Sequence, residues 1–319
     1  MKRIARLSSL LVALIFALSC SAKPTELKVL YWNIQNGMWS EQGNNYDNFV
    51  EFVKEVNPDV CIWAEAESRY KTDSGKRMKG CEEAYLPYNW DLLAARYGHK
   101  YVVLAGKRDT FPQVVTSKYP IRTVERINGN GDDIVVVHGA GYVELNVGGE
   151  LINIVTVHTW PQKYAYLAED RKLSEEENGG DRFRATEMQY ICEQTILKHD
   201  PKGKKNWIMA GDFNAISSID NYHYELQSDD PAFLLHDYVR GNTPYVDVIE
   251  KFHPGEFQKS THSGRRIDFV YLSEPLFKKV TEAHHITTGF ADAVKDTRDL
   301  NKWFCHPSDH YPIVVKFAL

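Results

Sequence analysis

The sequence lacks the features that mark several large protein classes. Its 319 residues contain no low-complexity tract and no internal repeat at a period of roughly 20–50 residues, which argues against a solenoid or a propeller. Only five cysteines are present, and none forms a CxxC pair or a Cys/His cluster at zinc spacing. We therefore expect a folded, enzyme-sized chain without a zinc site of that kind.

Long hydrophobic runs are also scarce. The one at the N-terminus, Leu10–Leu18, follows a basic segment and is too short to span a bilayer comfortably. Residues 1–20 resemble a bacterial lipoprotein signal, in which Cys20 becomes the lipidated first residue of the mature chain. Because Leu18 lies one position nearer the cysteine than usual, ordinary secretion with cleavage near Ala22 is the competing interpretation.

Both interpretations predict an exported protein, in the periplasm or at the cell surface, and the first adds a lipid anchor at Cys20 to a bacterial membrane. Export would also make the mature chain more acidic. Residues 1–19 carry three basic residues and no acid, so their removal lowers the formal net charge from −5 to −8. An acidic protein gains little from nonspecific attraction to nucleic acid, although a local basic patch could still serve a nuclease.

Apolar runs rich in β-branched and aromatic residues predict a series of strands. These runs cover residues 27–33, 59–64, 101–105, 113–117, 134–137, 142–147, 151–158, 207–212, 267–272 and 313–317. Helices are predicted at 46–56 and from about 182 to 199, with a loop or lid at 162–181. Many strands with few helices between them indicate two packed sheets with helices outside, and the absence of a linker favours one domain over residues 27–319.

Polar residues gather at the ends of these strands. They are Asn33, Glu65, His158, Asp212 and Asp268, with Asn214 close behind Asp212, and Asp309 and His310 just before the last strand. Each alone has an ordinary explanation, such as a turn residue that bonds its own backbone. Together they supply carboxylates, carboxamides and imidazoles at positions where rigid scaffolds usually present catalytic groups.

Hydrolysis of a phosphate ester requires that inventory. A hard divalent cation such as Mg²⁺ takes oxygen ligands, commonly one or two carboxylates completed by water and substrate phosphate. A carboxylate must orient and deprotonate the attacking water, and a donor must hold the equatorial oxygens. An imidazole can donate when a neighbouring carboxylate raises its pKa. The residues therefore predict a metal-dependent phosphoesterase.

The motifs resemble those of the endonuclease/exonuclease/phosphatase superfamily, also called the DNase I-like fold. The matching segments are Trp32-Asn33, Pro58-Asp59-Val60 leading to Glu65, Val157-His158, Gly211-Asp212-Phe213-Asn214-Ala215, Arg266-Ile267-Asp268-Phe269-Val270 and Ser308-Asp309-His310-Tyr311-Pro312. They span residues 28–317, and the Gly-Asp-Phe-Asn and Ser-Asp-His-Tyr-Pro segments are the most specific. The resemblance implies a four-layer α/β/β/α sandwich of two packed mixed β-sheets with helices on the outside.

The resemblance also implies a metal site for Mg²⁺ or Mn²⁺. Glu65 would be the principal ligand, assisted by Asn33 and Asp309. The resemblance leaves open whether the site binds one metal ion or two. The chain departs from the family pattern at Ala64, where many relatives carry a glutamine before the metal-binding glutamate. This change leaves the ligand itself intact, but it alters the support around it.

The remaining implied roles are catalytic. Asp212 would orient or deprotonate the attacking water, and Asn214 would hydrogen-bond the phosphate. His310, with its ring oriented by Asp268, would contact the phosphate or shuttle a proton. His158 would be a second imidazole on the phosphate side. Whether Asp212 or a histidine is the general base stays open.

Several other residues are interpreted as structural. We interpret His262 as a loop histidine rather than part of the cleft, and we give Trp160 a packing role rather than one in stacking on substrate. Arg182 and Arg184 are expected to be solvated at the start of a helix. The pair His284-His285 has no ligand-like partner nearby in sequence, so it is assigned no role.

Three substrate classes compete: nucleic acid, phospholipid head groups, and small phosphomonoesters such as sugar or inositol phosphates. Basic clusters are confined to Lys202-Lys204-Lys205 and Arg265-Arg266, and an apolar hairpin for lipid is suggested only faintly by residues 85–88. We favour a small or extracellular phosphate ester and a monomeric enzyme. The alternatives are a catalytically silent binding module, which would usually have lost a site residue, and a surface lipoprotein for adhesion or scavenging.

Overall fold

The computed structural model describes residues 25–67, 89–109, 111–292, 294–295 and 305–319. The expected signal peptide with Cys20, and the apolar segment at 85–88, lie outside these residues. Within the described ranges, no helix is both long and apolar enough to cross a bilayer.

Two six-stranded sheets dominate the part of the chain that the structure describes. The strands are β1 Glu26–Asn33, β2 Val60–Ala64, β3 Tyr101–Leu104, β4 Val114–Ser117, β5 Ile121–Gly129, β6 Val135–Val147, β7 Glu150–His158, β8 Asn206–Asp212, β9 Tyr245–Asp247, β10 Asp268–Ser273, β11 Val280–His285, β12 Val294–Lys295, β13 Cys305–His306 and β14 Ile313–Ala318. The first sheet has the order β11-β14-β1-β2-β4-β3 and the second β5-β6-β7-β8-β10-β9, while β12 and β13 pair separately.

Helices flank both sheets. The α-helices are Gln35–Met38, Asp47–Val56, Trp90–Arg96, Arg171–Glu176, Gly179–Gln194, Ile196–His199, Asn221–Tyr224, Leu234–Asn242, Val248–Phe252 and Glu274–Phe277. Short 3₁₀ turns occur at Trp39–Asn44, Ser218–Asp220, Pro231–Phe233 and Gly289–Ala291. The helix predicted at 46–56 is observed at Asp47–Val56, and its buried face includes Phe49 and Val53.

Alternation along the strands builds three apolar layers. Odd-numbered residues of β1, such as Val29, pack between the sheets against residues of the second sheet such as Ile208. Trp32 and Trp63 point to the outer face of the first sheet and pack on the helix Asp47–Val56. Trp207 lies on the outer face of the second sheet with residues of the helix Gly179–Gln194. The predicted four-layer α/β/β/α sandwich is therefore confirmed.

Each sheet is mixed because it contains one parallel pair. In the first sheet, β1 runs parallel to β2, with Asn33 beside Ala64. In the second sheet, β7 runs parallel to β8, with His158 beside Asp212. The antiparallel strand β10 begins where β8 ends, so that Asp268 also pairs with Asp212. The polar residues at the strand ends therefore meet at one edge of the sandwich.

Two differences from the sequence prediction have a local cause. The stretch 162–181, predicted as a loop, contains the helix Arg171–Glu176, whose first turn is capped by the Asp170 carboxylate accepting from the Leu173 amide. The runs at 134–137 and 142–147 belong to one strand, β6. The glycines between them resemble a break, but Gly139 (φ +68°) approaches Lys107 too closely for a side chain and stays in the strand.

Candidate active site

Asp212, the last residue of β8, is at the centre of the polar edge. It is buried, and its Oδ1 accepts a 2.9 Å hydrogen bond from the Asn214 amide. Its Oδ2 accepts from Asn33 Nδ2 at 3.1 Å. The Nε2 atoms of His158 and His310 lie 3.9 and 3.7 Å from the same oxygen. One carboxylate oxygen thus faces two imidazoles that come from distant parts of the sequence.

His310 is held by Asp268. His310 Nδ1 lies 2.7 Å from Asp268 Oδ2, which also accepts from the Ser260 hydroxyl at 2.7 Å. The other oxygen, Oδ1, accepts from the Tyr31 hydroxyl at 2.7 Å, so that both oxygens of Asp268 are engaged. Burial disfavours a charged imidazole, but Asp268, Asp309 and Asp212 together raise the pKa of His310 well above its usual value. The geometry supports an imidazolium oriented towards Asp212.

Glu65 follows β2 in a left-handed conformation (φ +53°), which is uncommon for a residue with a side chain and is concentrated at functional sites. Its Oε1 accepts from Asn33 Nδ2 at 3.3 Å, and its Oε2 accepts from the Asn36 amide at 2.9 Å. The Gly37 amide donates to the Glu65 carbonyl at 2.7 Å. These bonds fix the carboxylate while leaving lone pairs on both oxygens.

The loop before β14 supplies Asp309 and His310. Ser308 connects this loop to β1, because its hydroxyl donates to the Asn33 carbonyl at 2.7 Å and accepts from the His310 amide at 3.1 Å. Asp309 is half-buried, and its Oδ1 lies 3.8 Å from His310 Nε2. The Ser308 hydrogen bond therefore connects a segment near the end of the sequence to the first strand.

A cavity of about 460 Å³ opens over this cluster. Six of the predicted site residues line it: Glu65, His158, Asp212, Asn214, Asp309 and His310. The other two, Asn33 and Asp268, are fully buried beneath it, where they contact Asp212 and His310. The structure therefore brings all eight predicted residues to one place, and their individual roles stay predictions.

The donor chemistry of the cavity suits a hard cation. Glu65 and Asp309 present carboxylate oxygens to it, and such oxygens with water and phosphate are the usual ligands of Mg²⁺. Among the described residues, one trio has potential ligand atoms mutually within 4.8 Å, namely Asp212, Asp268 and His310. Asp268 already accepts hydrogen bonds on both oxygens and pairs with His310, so we interpret this trio as an oriented imidazole beside Asp212 rather than a metal cage.

The sequence profile of the Endonuclease/Exonuclease/phosphatase family matches residues 30–310. This chain belongs to that family. As a member of the endonuclease/exonuclease/phosphatase family it is an enzyme that hydrolyses phosphoesters, with a requirement for a divalent metal that is general in the family. Among curated protein sequences, none matches the chain.

Solved structures with the same fold are distant in sequence. An AP endonuclease from Archaeoglobus fulgidus is 15% identical and has a TM-score of 0.58, with 92% of this chain and 100% of that chain covered. A humanized D. rerio TDP2 is 14% identical (TM-score 0.56), covering 92% and 99%. The human Nocturnin catalytic domain, with a bound sulfate anion, is 14% identical (TM-score 0.55), covering 92% and 93%. At these identities the likeness establishes the fold.

Two further histidines lie on the wall of this family member's cavity. His262, predicted to be a loop histidine outside the cleft, lines the cavity, because its loop pairs with the distant segment before β14 and its amide donates to the Asp309 carbonyl at 2.8 Å. His138 lies in β6, one strand away from His158, but between the predicted runs 134–137 and 142–147, so the sequence prediction does not include it. Both residues reach the cavity wall because segments that are distant in sequence pair with each other. Such pairing has no local sequence signal.

Two other interpretations have different outcomes. Trp160 has a packing role, as its indole donates to the Tyr164 carbonyl at 2.6 Å and its ring contacts Tyr166. The prediction that Arg184 is solvated is wrong. It is buried, and its guanidinium donates to the carbonyls of Trp160 and Gln162, because the segment after His158 folds back over the helix that carries it.

Proposed function

We propose that this enzyme acts outside the cytoplasm and hydrolyses small phosphate esters by attack of a water molecule that Asp212 orients and deprotonates. The observation that carries the proposal is the position of Asp212 Oδ2. It accepts from Asn33 and faces two imidazole nitrogens beyond hydrogen-bond distance, at 3.7 and 3.9 Å. This oxygen therefore keeps the capacity to accept a proton from a water in the cavity.

The surrounding residues supply the other requirements of the reaction. His310, oriented by Asp268, provides a donor to the phosphoryl oxygens as negative charge develops on them. Asn214 is positioned by donating its side-chain amide to the Thr159 carbonyl at 3.0 Å, at the cavity wall. A Mg²⁺ or Mn²⁺ ion bound by Glu65 and Asp309, with Asn33 beside them, would polarise the phosphoryl group and offset charge on the leaving oxygen.

The cavity wall favours a small substrate over nucleic acid. None of the described residues that line it is a lysine or an arginine. Proteins that track a nucleic-acid backbone require basic side chains along the groove. The four histidines and the polar side chains of this wall instead suit one phosphate group. The structural relatives include an AP endonuclease, so DNA hydrolysis is the alternative that an experiment must address.

The test is hydrolysis by the purified protein of p-nitrophenyl phosphate, bis-p-nitrophenyl phosphate, plasmid DNA, RNA and sphingomyelin, each with Mg²⁺, Mn²⁺ or EDTA. We expect EDTA-sensitive hydrolysis of the small esters. Efficient degradation of DNA without hydrolysis of small esters would reject the proposed substrate class. No hydrolysis with either metal would reject the proposed reaction.

Export has a separate test, because the N-terminal segment lies outside the described residues. Mass spectrometry of the protein isolated from its native cells should find a mature chain that begins at a lipidated Cys20. An unmodified chain beginning near Lys23 would reject the anchor and support plain secretion. A chain that retains Met1 would reject export.

A further inference from the structure

A second histidine–aspartate pair borders the cavity. His138 of β6 is buried, and its Nδ1 lies 2.6 Å from Asp109 Oδ2. Its ring stacks on that of His158, with 4.5 Å between centroids and 24° between planes. The ring of Phe111 packs edge-on against His138 at 5.3 Å. Neither His138 nor Asp109 has a part in the reaction described above.

Backbone hydrogen bonds hold both residues of the pair in place. The His138 carbonyl accepts from the Lys107 amide at 3.0 Å, which aligns the segment carrying Asp109 with β6. The second oxygen of Asp109 accepts from the Phe111 amide at 2.8 Å. Although burial acts in the opposite direction, the hydrogen bond and charge of His138 hold the pKa of Asp109 below its usual value. Asp109 is thus a fixed carboxylate partner for the ring.

One atom of this pair is left without a partner. His138 Nε2 is buried and makes no hydrogen bond, while the residue lines the cavity. Because Nδ1 is bonded to Asp109, Nε2 is the remaining polar atom of the ring. A buried nitrogen without a partner is unfavourable, and a ligand that supplies an acceptor removes that cost. The neighbouring His158 Nδ1 is also buried without a partner.

The two flanks of Asp212 are therefore similar. On one side is His310 with Asp268, and on the other, beyond His158, is His138 with Asp109. A phosphodiester carries one negative charge, whereas the terminal phosphate of a monoester carries close to two at neutral pH. A donor backed by a carboxylate on each flank suits the group with more charge and more unsubstituted oxygens.

We propose that His138 is a substrate-binding residue whose Nε2–H donates to an unsubstituted oxygen of the substrate phosphate, with Asp109 holding Nδ1–H, and that this contact selects phosphomonoesters over diesters. The inference rests on the proposed function and adds the substrate class. His158 lies between His138 and Asp212, where burial and the nearby His138 lower its pKa despite the carboxylates around it.

The test compares three variants of the full protein loaded with Mg²⁺, using inorganic phosphate in titration calorimetry and both p-nitrophenyl esters in kinetics. His138→Asn keeps an amide near Asp109 and removes the Nε2 donor. His138→Gln keeps a donor near the Nε2 position. His199→Asn is the matched control, since His199 also has a buried Nε2 without a partner but packs on Tyr142 and does not line the cavity.

A charge-assisted hydrogen bond corresponds to a loss of about 10- to 100-fold in affinity. We expect His138→Asn to weaken phosphate binding and raise KM for the monoester by that factor, with kcat and diester hydrolysis changed less. His138→Gln should recover part of the affinity, and His199→Asn should change neither quantity. Melting temperatures verify that all variants fold.

The inference fails if His138→Asn binds phosphate as the wild type does, if His199→Asn weakens binding equally, or if the wild type binds no phosphate. These outcomes differ from failure of the proposed function. Phosphate binding that depends on His138 in a protein that hydrolyses no ester would reject the function and retain the binding role. Robust hydrolysis with no effect of His138→Asn would retain the function and reject the binding role.

Discussion

Asn33 donates from its Nδ2 to Asp212 Oδ2 at 3.1 Å, and this hydrogen bond joins the ends of two strands that belong to different sheets. The same nitrogen lies 3.3 Å from Glu65 Oε1. One neutral amide therefore separates the carboxylate expected to bind the metal from the carboxylate expected to activate water. Because the amide is neutral, it contacts both carboxylates without adding a charge between them.

Asn33→Asp should therefore place a third carboxylate between two others. We expect a loss of about 3–5 kcal/mol in the free energy of unfolding without metal, because an unbalanced buried charge is costly, and partial recovery when Mg²⁺ is added. Urea unfolding with Mg²⁺ or EDTA measures both effects. Asn206→Asp is the control, since Asn206 also donates to a glutamate, Glu150, but at the start of β8 away from the cavity. Equal recovery of both variants by Mg²⁺ would contradict the metal assignment.

Asp212→Asn should lower kcat by about 10²–10⁴-fold in a variant that still folds, although it loses the acceptor for Asn33. The variant keeps an oxygen to accept from the Asn214 amide, and it loses the ability to take a proton from water. Steady-state kinetics with a small phosphate ester and Mg²⁺ measure the effect, and circular dichroism verifies the fold. Turnover within tenfold of the wild type, on the order of 1.4 kcal/mol in barrier height, would exclude Asp212 as the base.

Variants of Asp268 and Tyr31 distinguish a role in positioning the His310 ring from a role in stability alone. Asp268→Asn should reduce kcat by about 10²-fold or more, because the amide cannot balance a charged imidazole at 2.7 Å. Tyr31→Phe removes one hydrogen bond to the same carboxylate and should cost about 1 kcal/mol of stability, with kcat changed less than tenfold. The readout is the pair of kcat values beside the two unfolding free energies. Similar losses of kcat in both variants would argue against a specific role for the Asp268 charge.

Glu187 makes stability depend on pH. Its carboxylate is fully buried and accepts from the amides of Val137 and Trp160 at 2.8 and 2.9 Å, and burial raises its pKa from 4.5 to about 7. A carboxyl with a raised folded pKa binds a proton in the folded state that the unfolded chain releases. Stability from this group is therefore present below pH ~4.5 and is lost as the pH rises through ~7.

Urea unfolding at pH 5 and pH 8 measures this effect by comparison with Glu187→Gln. The wild type should lose about 2–3 kcal/mol relative to the variant between the two values, since each pKa unit corresponds to about 1.4 kcal/mol. Glu193→Gln, an exposed change on the same helix, is the control. A difference between wild type and Glu187→Gln that is the same at both pH values would show that Glu187 stays ionised.

The sequence predicts the strand-end residues well because their signal is local. An apolar run that stops at Asn33 or Asp212 is visible in a few consecutive letters, and parallel pairing then brings such ends together. His138 gives no such signal, as it lies inside β6 and its role depends on Asp109, 29 residues earlier, and on a stacking partner in the next strand. The buried arrangement of Arg266 with Asp220 and Asp247 is invisible for the same reason.

The connection of the Ser308–His310 loop to β1 has a consequence for the timing of activity. The site joins Asn33 to His310, so no shorter contiguous stretch of the chain contains all of its groups. During synthesis the polypeptide has no complete site until the segment bearing His310 has emerged. If the chain is exported before it folds, it crosses the membrane without a complete site, and the phosphate esters on the side where it is made are not exposed to a working hydrolase.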